Sequence, residues 1–325
     1  MQKSALEYQR PAGNVPLRIA FAVTQTGPDA AAGDLFTASE LGSELEQRYG
    51  WRVDYLAQGA AWYDLAGVDM VVAMREDFDP RCITGAKNSL IKVAWARNWF
   101  ERWCAQPWMG DFSLVLASSQ QAARWMSLRL GRLVHVLRIA TNLQRFSNAN
   151  RPSVPDFDFV FTGSYWGTPR DVVAALCTVG DRFKGAIYGK NWEPVAELAH
   201  LNRGFVPYAD LPDVYRRATL VIDDANHVTK DWAAANSRVF DALAAGCLVI
   251  TNSASVSNEV FCGELPVYES PQALPKLLTH FLTDTTARSD LLGRLRQRVV
   301  QEHGYAQRAV ALRSLLAFER AEVRG

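Results

Sequence analysis

The sequence predicts an α/β fold made of two doubly wound parallel sheets. Short apolar runs alternate with helical stretches along the chain, and the alternation restarts after a polar, proline-bearing segment at Ser147–Pro155. A length of 325 residues gives room for two cores. The expected division is an N-terminal unit over 1–150 and a C-terminal unit over 151–325, with the last helix crossing back to the first unit. Five scattered cysteines without a Cys-x-x-Cys pair argue against a disulfide framework and against a zinc site. With 35 Lys+Arg and 34 Asp+Glu, the net charge of +1 gives no global field for gathering nucleic acid or anionic membrane, though a local basic patch survives that argument. No apolar run approaches the ~18 residues of a membrane span. Met1–Pro16 lacks a signal-peptide core, so the cytoplasm is the expected location.

In the first half, Leu17–Val23 is a short run that is apolar apart from Arg18, fit for a buried parallel strand. The loop from Gly27 to Gly33 leads to Asp34, expected as a helix N-cap and secondarily as an acceptor contact. Phe36–Tyr49 then reads as a helix with Ala38, Leu41 and Leu45 on one face, stopped by Gly50. Val53–Ala57, Met70–Met74, Leu90–Ala94, Leu114–Ala117 and Val134–Ile139 are further strands, with a helix over Gln120–Leu130. Asp77 and Asp79 follow one of these strands. They are candidate general bases toward an acceptor hydroxyl, or else solvated loop acids. The segment Trp95–Trp108 carries four of the ten tryptophans. Trp95, Trp99 and Trp103 recur every four residues, which fits a buried helix stripe. It also fits an aromatic wall where Trp95 and Trp99 stack on a sugar while Arg97 holds a charged group.

The second half starts with strand Phe157–Phe161 and the turn Thr162–Gly163–Ser164–Tyr165, with Thr168 as the expected N-cap of the next helix. Such a turn can cradle phosphate, or simply cap a helix. It matches neither a Walker loop nor a G-x-G-x-x-G fingerprint, which disfavours a P-loop ATPase or a nicotinamide enzyme. Ala186–Tyr188, Thr219–Ile222 and Leu248–Thr251 are strands; Leu211–Arg217 and Ser237–Ala245 are helices; two more helices follow Ser289. Arg238 and Asp241 lie three apart on one helix face, about 4.5 Å apart along the axis. That spacing suits a phosphate and a sugar diol, or an intrahelical ion pair. His227 and Asn226 follow a strand, and no grouping has metal-ligand spacing.

Arg238–Gly246 (RVFDALAAG) resembles the Arg-x-Phe-Glu-Ala-x-Ala-x-Gly stretch of CgeB-like glycosyltransferases and the second half of the E-x7-E element of GT-B glycosyltransferases. Phe159–Trp166, Ile187–Trp192 (the family's YG-x-x-W) and Val206–Tyr215 match in the same order, so the resemblance is specific over about 157–262. It implies a GT-B fold of two Rossmann-like domains facing a central cleft. It implies that Asp241 binds the ribose of a nucleotide sugar, and that Arg238, Ser237, Gly163 and Ser164 bind the diphosphate. Tyr165, Lys190, Asn226 and His227 complete the candidate donor site, and Arg238 stabilises the leaving diphosphate. The first acid of E-x7-E falls on Ala233, a departure from the family pattern that puts the retaining mechanism in doubt.

These readings lead to a glycosyltransferase of cell-surface glycan synthesis, with a nucleoside diphosphate sugar as donor and a saccharide or lipid-linked acceptor. No metal and no further cofactor is expected, nor any nucleic-acid partner; the chain is expected in the cytoplasm, with peripheral association at the inner membrane face left open. The rival readings are a nucleotide-sugar epimerase of similar fold and a non-catalytic nucleotide-sugar-binding subunit.

Overall fold

A computed structural model describes residues 16–27, 30 and 32–322; Met1–Val15 and part of the Gly27–Gly33 loop lie outside them. The first half runs β1 (Arg18–Val23), α1 (Gly33–Tyr49), β2 (Arg52–Ala57), β3 (Met70–Ala73), β4 (Ile91–Ala96), α2 (Phe100–Ala105), β5 (Leu114–Ala117), α3 (Gln120–Leu130) and β6 (His135–Val136). These strands form one six-stranded sheet, ordered β2-β1-β3-β4-β5-β6. β1 is flanked in parallel on both sides, Phe21 facing Tyr55 of β2 and Val72 of β3. Doubly flanked strands should read as unbroken apolar runs, and Ile19–Val23 is indeed fully buried.

The second half runs β7 (Phe157–Thr162), α4 (Asp171–Val179), β8 (Gly185–Tyr188), α5 (Leu211–Arg216), β9 (Ala218–Ile222), α6 (Ser237–Ala244), β10 (Leu248–Ile250), α7 (Ala254–Phe261), α8 (Ala273–Thr283), α9 (Thr285–Glu302) and α10 (Tyr305–Glu322). Its sheet is parallel in the order β10-β9-β7-β8, with Val160 of β7 between Ala186 and Val221. Phe159, Phe161, Val239, Phe240, Leu243 and Trp192 belong to its core. Cys247, entering β10, is fully buried; its thiol donates to the carbonyls of Tyr215 (2.7 Å) and Ala218 (3.2 Å). Burial raises that thiol's pKa.

Contacts divide the chain into two compact units. One holds the chain up to Ala96, Arg102–Leu116 and the chain from Ala309 onward; the other holds Arg97–Glu101 and Ala117–Arg308. No helix among the described residues is long and apolar enough to cross a membrane.

Several local expectations are corrected. Asp34 is not an N-cap: Ala32 is, and Asp34 sits in the first turn of α1. Thr168 does not cap α4 either, since the N-cap is Arg170. The strand expected over Val134–Ile139 shortens to His135–Val136. The tryptophan periodicity is not a helix stripe. Trp95 ends in strand β4, Trp99 lies in a loop with φ of 51°, and only Trp103 is in α2. Spacing of four coincided across three different conformations, which a count along the sequence cannot distinguish.

Candidate functional site

All four strands of the second sheet end on polar loops. β7 leads into Gly163–Ser164, β8 into Gly189–Lys190, β9 into Asp223–Asp224 and β10 into Thr251–Asn252. The strand order reverses at β7, with β8 on one side and β9 on the other. Connections leave in opposite directions at such a point, opening a crevice at the carboxyl ends where ligands bind.

Three ion pairs line these carboxyl ends. Arg238 Nη1 donates to Asp223 Oδ1 at 2.6 Å, and its Nε donates to the Thr162 carbonyl at 2.6 Å. Arg170 Nε donates to Asp224 Oδ2 at 2.7 Å, and Lys230 Nζ to Asp171 Oδ2 at 2.6 Å. Asp223 also accepts from Thr251 Oγ1 (2.8 Å) and Asn236 Nδ2 (3.1 Å). Asn252 Nδ2 donates to both Asp171 (2.9 Å) and Asp224 (3.0 Å). Burial pushes the Asp224 carboxyl up despite Arg170. Burial also raises Asp171, but hydrogen bonds from Lys230 and Asn252 outweigh it and leave that carboxyl lowered.

The arrangement leaves one guanidinium nitrogen available. Arg238 Nη2 makes no hydrogen bond among the described residues, and a Cβ on Gly163 would lie 2.9 Å from it. Glycine there keeps the approach to Arg238 open. Gly189 is constrained more tightly, because any Cβ would overlap the Gly163 carbonyl group. The loops after β7 and β8 are laced together: Gly163 N donates to Tyr188 O (2.8 Å), Trp192 Nε1 to Gly163 O (2.8 Å), and Lys190 N to Ser164 Oγ (3.1 Å). Asn236, the N-cap of α6, turns its amide to Asp223 and leaves the first turn without a side-chain cap. The amides of Ser237 and Arg238 thus add a helix-terminal positive end beside Arg238 Nη2. Backbone amides, an open guanidinium edge and a hydroxyl are the donor set that a phosphate oxygen accepts from.

Other residues singled out from the sequence fall in varied places. Tyr165 packs on Trp192 at 5.6 Å between centroids, and Lys190 Nζ lies 4.4 Å over the Phe205 ring. Asn226 holds its own turn, accepting from Val228 N at 3.2 Å and Thr229 Oγ1 at 3.0 Å. Exposed His227 meets Trp99 edge-on at 5.7 Å. Asp241 is buried in α6, and its charge acts on the buried Tyr215. Ala233, where the family motif has its first acid, is buried and left-handed with φ of 52°.

In the first unit, Asp77 is held by Arg75 through two bonds of 2.9 Å and by Gln58 at 2.8 Å. Asp79 caps the turn at Pro80 and pairs with Arg81, which lowers its pKa. Asp34 accepts from Thr24 N (2.7 Å), Thr24 Oγ1 (2.6 Å) and Leu35 N (2.9 Å). Trp95 is fully buried and has no face for an acceptor; the wall expected there reduces to Arg97 and Trp99, both half-buried.

Sequence reasoning passed over Asp223, Asp224, Arg170, Lys230 and Asn252. A signal was present, because two acids stand directly after an apolar strand and were noticed only for the neighbouring His227. Among the described residues there is no cluster of His, Cys, Asp and Glu that could hold a metal ion.

A parallel sheet with a charged crevice at its carboxyl ends, a second α/β unit and likeness to solved glycosyltransferases give the chain the GT-B glycosyltransferase fold. The chain belongs to the glycosyl transferase-like family, whose profile matches residues 145–314. Among solved structures it is similar to a glycosyltransferase from Rickettsia africae ESF-5 (13% identity, TM-score 0.66, covering 96% of this chain and 100% of that one). It is similar to Anabaena Alr3699/HepE in complex with UDP-glucose (12%, TM-score 0.61, 93% and 99%). It also resembles T4 phage BGT in complex with UDP and Mn2+ (9%, TM-score 0.58, 92% and 99%). Identities this low speak to the fold. No curated protein sequence matches the chain.

Proposed function

We propose that this chain is a glycosyltransferase that takes its sugar from a nucleoside diphosphate sugar, with the donor held by the half from residue 151 onward. The carrying observation is Arg238, fixed by Asp223 and the Thr162 carbonyl with one nitrogen left open beside Gly163 and the start of α6. As the sugar–phosphate bond breaks, negative charge grows on the departing diphosphate. Prealigned donors stabilise that charge without reorganising. Ser237, Ser164 and Gly163 share the diphosphate in this reading, and Asp241 takes the ribose hydroxyls. Tyr165, Lys190, Asn226 and His227 line the remaining donor site. The acceptor is a saccharide or a lipid-linked saccharide, approached by Asp34, Arg97 and Trp99, with Asp77 or Asp79 as base. Arg81 lowers the pKa of Asp79, which weakens it as a base.

Transfer proceeds without a metal in this proposal, Arg238 and the helix start supplying the positive charge. The chain acts as a peripheral protein in cell-surface glycan synthesis.

The test is calorimetry with a panel of nucleoside diphosphates, followed by release of diphosphate from matching sugars with and without EDTA. Arg238→Ala should weaken binding of the preferred diphosphate by ~1.5–3 kcal/mol, the worth of a charge-assisted hydrogen bond. Asp241→Ala should weaken it by ~1–3 kcal/mol. Unchanged affinity in both folded variants sinks the donor site, and loss of turnover in EDTA sinks metal independence. Ala233 supports a second reading, a binding subunit without catalysis; tight nucleotide binding without turnover of any sugar would select it.

A further inference from the structure

Residues 112–155 carry six arginines and no aspartate or glutamate, in a chain of net charge +1. The middle of this stretch is also unusually apolar at its surface. Leu128, on α3, is 87% exposed, and Leu133, just past its end, is 64% exposed. The two are brought together by the way α3 stops. Gly131 takes a φ of 63°, and Val134 N donates back to Ser127 Oγ at 2.9 Å. Arg124, Leu128, Arg132 and Leu133 consequently line a single open depression of about 680 Å³.

The one carboxylate bound to α3 among the described residues, Glu259, is taken up at its first turn by Gln120 N, Gln121 N and Arg138, and the rest of the face carries arginines. Arg124 is exposed one turn before Leu128, Arg129 is exposed beside it, and neither has an ion pair or hydrogen bond among the described residues. Exposed leucines flanked by uncompensated arginines complement an anionic bilayer surface. Apolar side chains enter the headgroup–acyl boundary while guanidinium groups meet lipid phosphates.

We propose that α3 and the turn after it are the surface by which this chain docks on an anionic phospholipid bilayer, Leu128 and Leu133 inserting and Arg124 and Arg129 binding phosphate. This deepens the peripheral association proposed above and rests on it, but not on the transferase reading.

The experiment is co-sedimentation of the full chain with phosphatidylcholine vesicles, with and without phosphatidylglycerol, at low and high salt. Wild type should bind the phosphatidylglycerol vesicles and release as salt rises. Arg124→Ala/Arg129→Ala should weaken partitioning roughly thirty-fold, from about one unit of basic charge interaction per arginine. Leu128→Ser/Leu133→Ser should weaken it about tenfold or more. Circular dichroism and the thermal midpoint should stay those of wild type in both variants, since all four side chains are at the surface. Wild-type binding that neither variant diminishes would overturn this surface and leave peripheral association standing. No wild-type binding to either vesicle would overturn both. Equal binding to uncharged vesicles would overturn the electrostatic part. Self-association of wild type that Leu128→Ser abolishes, without vesicle binding, would assign the face to a second copy and overturn the proposal.

Discussion

At the residue scale the second unit repeatedly sets burial against charge. His303 is the clearest case. Its ring stacks on Phe240 at 4.8 Å between centroids, its Nδ1 faces Arg308 Nη2 at 2.9 Å, and its Nε2 has no hydrogen-bond partner among the described residues, the Glu302 carboxylate lying 3.9 Å away. Burial, then Arg308, Arg138 and Arg298, push its pKa from 6.5 to about 3. The folded protein therefore holds His303 neutral where the unfolded chain would protonate it. Its contribution to stability is complete above about pH 6.5 and is lost as pH falls toward 3. A shift of this size corresponds to roughly 5 kcal/mol at most. Urea titrations across that window should show stability rising with pH in wild type, and His303→Gln should flatten the slope. A slope unchanged in the variant would assign it to the carboxylates. None of this was legible in the sequence, where His303 stood without a constellation; its neighbours come from α6, α9, α10 and the segment before residue 141.

At the scale of elements, legibility followed the kind of signal. Strands buried on both faces announced themselves, since β3, β5, β10 and β1 after Arg18 are unbroken apolar runs. Helix α1 was legible to its last residue because Gly50 is the only stop its sequence offers. Caps were less legible. Thr168 has the right chemistry but stands three residues before the start of α4, where Arg170 and Asp224 tie the chain instead. The ion pairs at the strand ends were invisible for a similar reason, as Arg238 and Asp223 are joined only by the sheet order. Glycines carry a testable part of this architecture. Gly189→Ala must push the Gly163 carbonyl aside, so it should cost ~1–3 kcal/mol and weaken nucleotide binding as well. Gly293→Ala provides the contrast. In the interior of α9, with nothing within 4 Å of its Cβ, it should stabilise by about 0.5–1 kcal/mol. Equal effects of the two changes on the urea midpoint would refute the close-approach argument.

At the scale of the whole molecule, near-neutral net charge conceals strong segregation. The 44 residues without an acid are offset by acids elsewhere in the chain, Glu259 pairing with Arg138 among them. The tryptophan richness also resolves at this scale. Trp51, Trp62, Trp95, Trp103 and Trp192 are core residues, while Trp166 is 72% exposed. Composition signalled an abundance of large side chains, but only the fold assigned half of the tryptophans to the core. Cys247 gives the second unit an internal clock. Its thiol is sealed in the core and its pKa is raised, whereas Cys82, Cys177 and Cys262 are exposed. Alkylation requires the thiolate, so this sulfur reacts only when the sheet around it opens. Peptide mass mapping during iodoacetamide labelling should find Cys247 modified last, at a rate that falls when a nucleoside diphosphate is bound. The slowest cysteine thereby times the opening of the second unit without any engineered probe.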